Sequence, residues 1–403
     1  MPQTQSKPLI IVSLEGIAPT SMSCYGCSWN SMPSLDQVSA RGLLWDRLFA
    51  RTDDPTRIIE QWTESKSSWA DSCRSRGPVE LFTDQATGIS HEHCFDEINV
   101  LTFDPLEEEQ VACEDILDTR FGQLIATVIE RLKVSTVFGA IWIHSNFLTQ
   151  CWDAPFDDEP LSDDMLAAET GEDYPDQDHD FFESVDDINL DSQDVNSDAD
   201  DVGVEDPSLT PPNVIPPQIR IDGEADPDLL PRWMDRYAAQ IQLIDRMMGY
   251  LIEEVERIGG QLVFVGTSGF RLGQDNEIGL KPTHLRSADL HLPLIVAGNG
   301  PLRVPQLTGS DSIPMLLQLL AQENGMHYSE QQWAESESTA APLTINSRRC
   351  RHAVISAEWF CTVDLDGKEN LFLKPDDLDD YNNVARLRPD MMDELIGIDQ
   401  KSE

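Results

Sequence analysis

The chain has 403 residues, of which 40% are hydrophobic and 25% charged, so it is long enough to bury a large core. Its 73 Asp and Glu residues outnumber its 28 Lys and Arg residues and give a formal net charge of −45. A charge of that sign and size repels phosphate backbones and anionic lipid, which argues against nucleic-acid binding and membrane-surface binding.

The first buried strand is predicted at residues 8–14, Pro-Leu-Ile-Ile-Val-Ser-Leu. A continuous apolar run with β-branched residues is typical of a central parallel strand covered on both faces. Glu15 interrupts the run before any cleavage-type site, so we interpret it as a strand and not as a signal peptide. Because ligand sites in open α/β sheets lie at the carboxyl ends of strands, Glu15 and Gly16 stand where chemistry is expected.

Helices and strands alternate along the rest of the chain. A short helix is expected from Ser34, as its N-cap, to Gly42. Apolar residues at three- and four-residue intervals predict longer helices over 116–134 and 229–258. Further buried strands are predicted at 137–143, 261–265 and 292–297. This rhythm indicates an α/β fold with a mostly parallel central sheet and helices on both faces.

The segment from Asp153 to Ile219 differs in composition from the rest, with 22 acidic residues and no Lys or Arg. Like charges at that density, interrupted by prolines, cannot bury enough apolar surface to offset chain entropy, so a disordered acidic insertion is predicted. It either serves as a solubilising loop or captures a basic protein partner or divalent cations. The predicted organisation is therefore a discontinuous α/β domain (1–152 and 220–340), the insertion (153–219) and a small C-terminal subdomain (341–403).

The eight cysteines are scattered without the regular spacing of a disulfide scaffold. With no export signal and no apolar stretch of roughly 20 residues to span a membrane, we expect reduced thiols in a cytoplasmic protein. Cys24 and Cys27 have the spacing of a redox or zinc half-site, but no second Cys/His pair at matching spacing accompanies them.

Six blocks of sequence follow one another in a recognisable order. Near the N-terminus they are residues 8–16, the Cys-Tyr-Gly turn at 24–26, and Met-Pro-Ser-Leu-Asp-Gln-Val-Ser-Ala-Arg-Gly at 32–42. Farther along they are 237–252, which contains Asp245 and Gly249, Leu-His-Leu-Pro-Leu-Ile-Val at 290–296, and 371–385. Together they resemble the sulfatase family of the alkaline phosphatase superfamily. The resemblance covers nearly the whole chain apart from the acidic insertion.

The resemblance implies particular roles for the site residues. The family hydrolyses sulfate esters with a Cys or Ser that is oxidised to formylglycine in a Cys/Ser-x-Pro-Ser-Arg motif. The matching stretch here is 53–57, Asp-Asp-Pro-Thr-Arg, which places Asp53 at the nucleophile position, where formylglycine cannot form, and Arg57 at the family's Arg. His144, at the end of its predicted strand, is either a remnant substrate contact or, as we favour, a histidine satisfied by hydrogen bonds near the strand end. Cys73 begins a similar Cys-Arg-Ser-Arg run, but the motif's proline is missing and we interpret it as a decoy.

The same resemblance implies a calcium ion held by acidic residues from two strand ends. Glu15 stands at the first of these positions and Gly16, which has no side chain, at the second. Thr267 and Ser268 stand at the other two, and neutral hydroxyls are poor substitutes for carboxylates around calcium. A remnant metal site would therefore rest on Glu15 and Asp53.

Two further expectations concern charge at this site. Asp84 and its neighbours occupy the place of the family's Lys-x-His pair, which removes two cations. We expect Glu15 and Asp53 to lie close together at the carboxyl edge of the sheet, with Arg57 compensating their repulsion.

Three functions remain open on the sequence alone. The leading one is a sulfatase-like pseudoenzyme that keeps the fold and loses sulfuric-ester hydrolysis. The second is an active hydrolase of the same superfamily in which Glu15 and Asp53 share a metal. The third is an acidic interaction protein that uses residues 153–219 to capture a basic partner.

Overall fold

The computed structural model describes residues 7–64, 69–85, 94–106, 111–135, 137–156, 214–221, 228–279, 283–298, 300–322 and 341–402. Its strands are β1 (Leu9–Leu14), β2 (Leu43–Trp45), β3 (Leu48–Phe49), β4 (Val79–Thr83), β5 (Glu97–Val100), β6 (Ala140–Ser145), β7 (Ile219–Arg220), β8 (Gln261–Gly266), β9 (Arg271–Leu272), β10 (Glu277–Gly279), β11 (His291–Leu292), β12 (Leu294–Val296), β13 (Leu302–Val304), β14 (Thr308–Gly309), β15 (Leu343–Thr344), β16 (Cys350–Ile355), β17 (Trp359–Asp364) and β18 (Glu369–Leu373). Its α-helices are α1 (Pro33–Ser39), α2 (Pro55–Thr63), α3 (Trp69–Arg74), α4 (Arg120–Val134), α5 (Phe147–Gln150), α6 (Leu229–Arg257), α7 (Ile313–Ala321) and α8 (Pro389–Ser402).

An eight-stranded sheet in the order β13-β2-β12-β8-β1-β6-β4-β5 forms the centre of the fold. Its neighbours are parallel except where β12 runs antiparallel to β8 and β2. All six residues of β1 are buried, as the continuous apolar run predicts. The expectation of a mostly parallel central sheet is confirmed.

Helices cover both faces of this sheet. Because side chains alternate along a strand, Ile10 and Val12 pack on one face with residues of α4 and α6. Leu9 and Ile11 pack on the other face with residues of α2, α3 and α7. Each face therefore closes a hydrophobic core of its own.

An antiparallel sheet in the order β15-β16-β17-β18 follows at the C-terminus. Helix α8 packs against it, with Met392 and Leu395 buried among residues of β16, β17 and β18. This is the region in which the sequence predicts a small subdomain. No helix in the described part of the chain is long and apolar enough to cross a membrane.

The capping of the first helix was predicted wrongly. The helix begins at Pro33, with Met32 and not Ser34 at the N-cap position. Its free amides are satisfied by Asp245 of α6, whose carboxylate accepts from the backbone of Ser34 at 3.0 Å and of Leu35 at 2.9 Å. Gly249, one turn later on α6, leaves room for Ser34, since a Cβ there would lie 2.9 Å from its Oγ. A tertiary contact therefore replaces the local cap.

Helix α4 is shorter than the predicted 116–134. Thr119 caps it by accepting from the backbone of Gly122 at 3.0 Å. The Thr119 hydroxyl also donates to the carbonyl of Ile116 at 2.6 Å, which turns the preceding residues away from the helix axis. The periodic apolar residues before Thr119 belong to this turn and not to the helix.

Most of the predicted acidic insertion lies outside the described residues, but its flanks are described. The backbone N–H of Trp152 donates to the carbonyl of Val214 at 2.6 Å, so the two flanks meet. Asp153 and Val214 are buried. The backbone of Asp153 accepts from Cys113 at 2.9 Å, and its carboxylate accepts from the backbone of Arg120 at 2.8 Å.

We predict that residues 157–213 can be replaced by a short Gly-Ser linker without loss of folding. The flanks already meet, and the removed residues carry many carboxylates and no basic residue, so self-repulsion falls. Thermal melts followed by circular dichroism should stay cooperative, with an unchanged or higher Tm at low salt. A longer deletion of 153–219, which removes Asp153 and Val214, should be destabilised. A shorter deletion that no longer melts cooperatively would contradict the prediction.

Candidate functional site

The candidate site lies along the carboxyl ends of β8, β1, β6 and β4. These four parallel strands are neighbours, and their register places Leu14 beside both Ser145 and Gly266, and Thr83 beside His144. The residues that follow, including Glu15, Asp84 and Thr267, therefore line one edge of the sheet, where open α/β sheets bind ligands. A hollow of about 390 Å³ lined in part by Asp84, Gln85 and Arg120 opens at the β4 and β6 end.

Glu15 and His144 meet at the centre of this edge. The Glu15 carboxylate is buried, and its Oε1 lies 3.5 Å from His144 Nε2. The imidazole is fully buried, with Nδ1 at 2.9 Å from Ser13 Oγ and Nε2 at 3.2 Å from Gln85 Oε1. Trp142 Nε1 donates to Ser13 Oγ at 2.7 Å.

The partners of His144 are compatible with a proton on Nε2, which faces Gln85 Oε1 and Glu15 Oε1. In that tautomer the Ser13 hydroxyl donates to Nδ1 while accepting from Trp142. Protein groups therefore contact both ring nitrogens of the imidazole.

Asp84 forms the outer end of the same edge. The Ser145 hydroxyl donates to Asp84 Oδ2, and the backbone N–H of Asn146 donates to Oδ1 at 3.1 Å. Burial raises the pKa of Asp84 above its ordinary value, although both donors oppose that rise. The carboxyl group thus fixes the loop after β6.

Asp84→Asn is expected to raise the Tm at neutral pH and to give no gain near about pH 4. A carboxyl whose pKa is raised by folding is penalised when it ionises, and this penalty vanishes as the pH falls through the folded-state pKa toward the unfolded one. Melts of both proteins across this range test the prediction. Asp366→Asn is the control for the loss of one exposed carboxylate, and its Tm at neutral pH should stay close to that of the wild type. A gain for Asp84→Asn that is equal at all pH values would contradict it.

The positions that correspond to the other metal ligands are joined directly to each other. The backbone N–H of Gly16 lies 2.8 Å from Ser268 Oγ and 3.1 Å from the Ser268 carbonyl. The Thr267 hydroxyl donates to the carbonyl of Leu14 at 3.2 Å. Gly16 has φ +77°, and a Cβ there would lie 2.8 Å from Thr149 Cγ2. A side chain on residue 16 would therefore require Thr149 to shift and a strained backbone.

The residues at this edge do not fit calcium. Calcium takes six to eight oxygen ligands, mainly carboxylates and carbonyls. In the described residues no group of three or more His, Cys, Asp or Glu side chains is placed to hold a metal ion. Among the described residues that directly follow β1 and β8, Glu15 is the one with a carboxylate. The hydroxyls of Thr267 and Ser268 are hydrogen-bonded to the backbone of Leu14 and Gly16.

Asp53 belongs to a different cluster from Glu15. Its Oδ2 accepts from Arg349 Nε at 2.6 Å and from Ser347 Oγ at 2.8 Å. Asp53 also lines a separate hollow of about 290 Å³. The polar partners of Asp53 are not those of Glu15, and the cation beside Asp53 is Arg349.

Arg57 is not the partner of Asp53. Its Nε lies 3.7 Å from Asp54 Oδ2, and both side chains are nearly half exposed. The Asp54 carboxylate caps α2 by accepting from the backbone of Thr56 at 3.1 Å. Arg57 therefore helps to order the start of α2 instead of compensating Asp53.

Arg349 connects Asp53 to a network of buried ion pairs that no sequence motif indicated. Arg349 Nη1 lies 3.0 Å from Asp289 Oδ2, and Arg271 Nη2 lies 2.7 Å from the same oxygen. Arg271 is fully buried and also lies 2.6 Å from Glu277 Oε2. Burial alone would raise the pKa of Asp289, but Arg271 and Arg349 outweigh it and hold that pKa below its ordinary value.

The Ser13–His144 contact did have a signal in the sequence. Ser13 pairs with His144 on the neighbouring strand, and Trp142 lies two residues before His144, so all three side chains share a face of the sheet. A serine in a strand that is otherwise apolar, facing a Trp and a His, indicates a buried hydrogen-bonded chain.

The cysteines do not form a second site. In the described chain all eight are free. Burial, with a smaller effect of Asp36, raises the pKa of Cys24 to about 12, so the thiol of this half-site is protonated at neutral pH. Cys73 is buried in α3, and burial raises its pKa to about 11. Neither thiol has the character of a reactive thiolate.

Solved structures with a similar fold include sulfatases and phosphonate monoester hydrolases. The phosphonate monoester hydrolase of Agrobacterium radiobacter matches with a TM-score of 0.62 and 12% identity, over 98% of this chain and 96% of that one. BT4656, solved with its substrate D-glucosamine-2-N,6-O-disulfate, matches with a TM-score of 0.61 and 10% identity, over 99% and 97%. BT1596, a 2-O GAG sulfatase, matches with a TM-score of 0.59 and 12% identity, over 97% and 90%.

These matches show the fold. Neither a protein-family profile nor a curated protein sequence matches this chain. At 10–12% identity the structural matches establish a sulfatase/alkaline-phosphatase-like α/β fold along nearly the whole chain.

Proposed function

We propose that this protein keeps the sulfatase-type fold, lacks formylglycine- and calcium-dependent hydrolysis of sulfate esters, and acts by binding. The observation that carries the proposal is the direct hydrogen bonding of Gly16 to Ser268 at 2.8 Å across the two strand ends. In an enzyme of the resembled family a cation would join these ends. Here main-chain and hydroxyl groups join them, and a Cβ on residue 16 would lie 2.8 Å from Thr149 Cγ2.

The state of Asp53 supports the same conclusion. Its carboxylate is held by Arg349 and Ser347, with only 14% of the side chain exposed. A nucleophile must reach the substrate, whereas Asp53 Oδ2 already accepts two hydrogen bonds. The alternative of an active hydrolase with Glu15 and Asp53 sharing a metal is disfavoured, because the two carboxylates have separate partners.

The expected result of an activity test is no turnover of aryl sulfates, and no aldehyde at residue 53 or 73 by mass spectrometry. Calcium should barely move the Tm. A protein that bound calcium would instead be stabilised by roughly 2.7 kcal/mol at a calcium concentration of about 100 times its Kd. Glu15→Gln is the matched control, because it removes the carboxylate between the ends of β1 and β8. A saturable stabilisation by calcium that Glu15→Gln abolishes, or turnover with an aryl sulfate, would overturn the proposal.

Two finer points remain proposals. A cytoplasmic location is supported by the free cysteines of the described chain. A basic protein partner for residues 153–219 is supported by their 22 acidic residues and their lack of Lys and Arg. A pull-down with and without residues 157–213 tests the second point.

A further inference from the structure

A cavity of about 350 Å³ lies between the loops after β1 and β2 and the loop that follows β18. This volume is in the range of small-molecule sites. It shares no lining side chain with the Glu15–His144 edge or with Asp53. The cavity is therefore separate from the positions at which the resembled family performs its chemistry.

Flat rings form part of the cavity wall. His291 stacks on Phe49 with ring centres 4.9 Å apart and an angle of 10°, and Tyr25 meets His291 edge-on at 6.3 Å. Burial, helped by the nearby charges of Lys374 and Arg47, lowers the pKa of His291 to about 4. The imidazole is thus neutral at neutral pH, with Nε2 donating to the Asp46 carbonyl at 2.8 Å. This wall suits an aromatic or otherwise flat apolar body.

Arg47 gives the cavity an uncompensated positive charge. Its guanidinium donates to the carbonyls of Ala357 at 2.8 Å and Ser356 at 3.0 Å, which are neutral acceptors. Among the described residues no carboxylate pairs with Arg47. A partly buried guanidinium held by two carbonyls still has N–H groups and its full charge to offer an anion.

The other cations at the cavity are already balanced. Lys374 Nζ lies 2.5 Å from Asp380 and donates to Ser287 Oγ at 2.8 Å. Arg303 lies 2.8 Å from Asp46 at the rim, where its side chain is 56% exposed. The surplus is thus one positive charge, in a chain whose formal net charge is −45. One anionic group in the ligand matches this surplus.

We infer that this cavity binds a small molecule with a flat apolar body and a single oxyanion group, the body lying against Phe49, His291 and Tyr25 and the anion meeting Arg47. The inference goes beyond the proposed loss of hydrolysis and does not depend on it, since the two sites share no lining residue. It assigns the binding role to a place outside the Glu15–His144 edge.

The test uses naphthalene-2-sulfonate as the probe and the full-length protein, with binding followed by isothermal titration calorimetry. Saturable binding with one site per chain is expected, and 2-naphthalenemethanol, which lacks the charge, should bind at least tenfold more weakly. Arg47→Met should weaken binding of the sulfonate at least tenfold and leave binding of the neutral analogue nearly unchanged. Arg351→Met, which alters an exposed arginine that donates to the Leu365 carbonyl and does not line the cavity, is the matched control and should not change either affinity.

A second variant keeps the inference testable if Arg47→Met does not fold. Thr20→Trp places a bulky ring in the cavity and leaves Arg47 in place, so it should abolish binding of both probes while melting cooperatively. Absence of saturable sulfonate binding to the wild type would overturn the inference. Equal affinity for the charged and neutral probes, or full affinity in Thr20→Trp, would also overturn it. These results are independent of calcium binding and sulfatase turnover, so the two proposals fail separately.

Discussion

Arg271→Met is expected to destabilise the fold by about 3–5 kcal/mol, the largest single-residue effect that we predict. The guanidinium is fully buried and bonds to Glu277 at 2.6 Å and to Asp289 at 2.7 and 2.9 Å. Met keeps much of the volume but leaves two buried carboxylates without their main cation. Urea unfolding at neutral pH measures the loss.

The pH dependence distinguishes an electrostatic loss from a packing loss. Asp289 has a lowered pKa in the folded protein, so its contribution to stability is present above the unfolded-state pKa and is lost as the pH falls through the folded-state pKa. Since Arg271→Met removes much of this contribution, the difference between variant and wild type should shrink at acid pH. A constant difference at every pH would contradict the electrostatic account.

Lys133→Met is the control for a cation at the surface. Lys133 pairs with Glu130 at 3.2 Å on α4, and both side chains are more than half exposed. Exposed pairs of this kind contribute about 0.5 kcal/mol or less, so the variant should unfold close to the wild type.

Gly16→Ala is expected to destabilise the protein by about 2–4 kcal/mol, which combines a strained backbone with overpacking. The φ of +77° disfavours any side chain, and the new Cβ would lie 2.8 Å from Thr149 Cγ2 and 3.4 Å from Leu148 Cβ. Gly16→Asp, which restores the acid that the resembled family has there, should be at least as damaging. Calcium should not rescue it, because the neighbouring hydroxyls remain neutral.

Gly259→Ala isolates the backbone part of that effect. Gly259 has φ +67°, and no atom lies within 4 Å of the position that an alanine Cβ would take, so only the strain of about 1 kcal/mol is expected. The stability that Gly16→Ala loses beyond the loss in Gly259→Ala then measures how tightly the ends of β1 and β8 are packed. If the two variants lose equal stability, or if calcium stabilises Gly16→Asp, the strand ends are not closed as described.

The sheet was predictable because its signals are local. The apolar run at 9–14 and the periodic residues of 229–257 correctly predicted a buried strand and a long helix. Helix beginnings were less predictable where a distant residue supplies the cap. Asp245 lies more than two hundred positions from Ser34, and no local pattern reports their contact.

The site was only partly predictable for a similar reason. The resemblance placed Glu15, Gly16 and His144 at strand ends, where the structure has them. It could not give the cation beside Asp53, because Arg349 reaches it from almost three hundred residues away. Arg57, which is near in sequence, bonds instead to its own helix cap, Asp54.

The position of β1 in the sheet has a consequence for synthesis on the ribosome. Strand β1 lies inside the central sheet and is made before both of its neighbours, which begin at Ala140 and Gln261. Until those strands are made, an apolar strand with two open edges has no permanent partner, and pairings so distant in sequence form slowly. The nascent chain is therefore expected to need chaperone protection until residue 266 has left the exit tunnel.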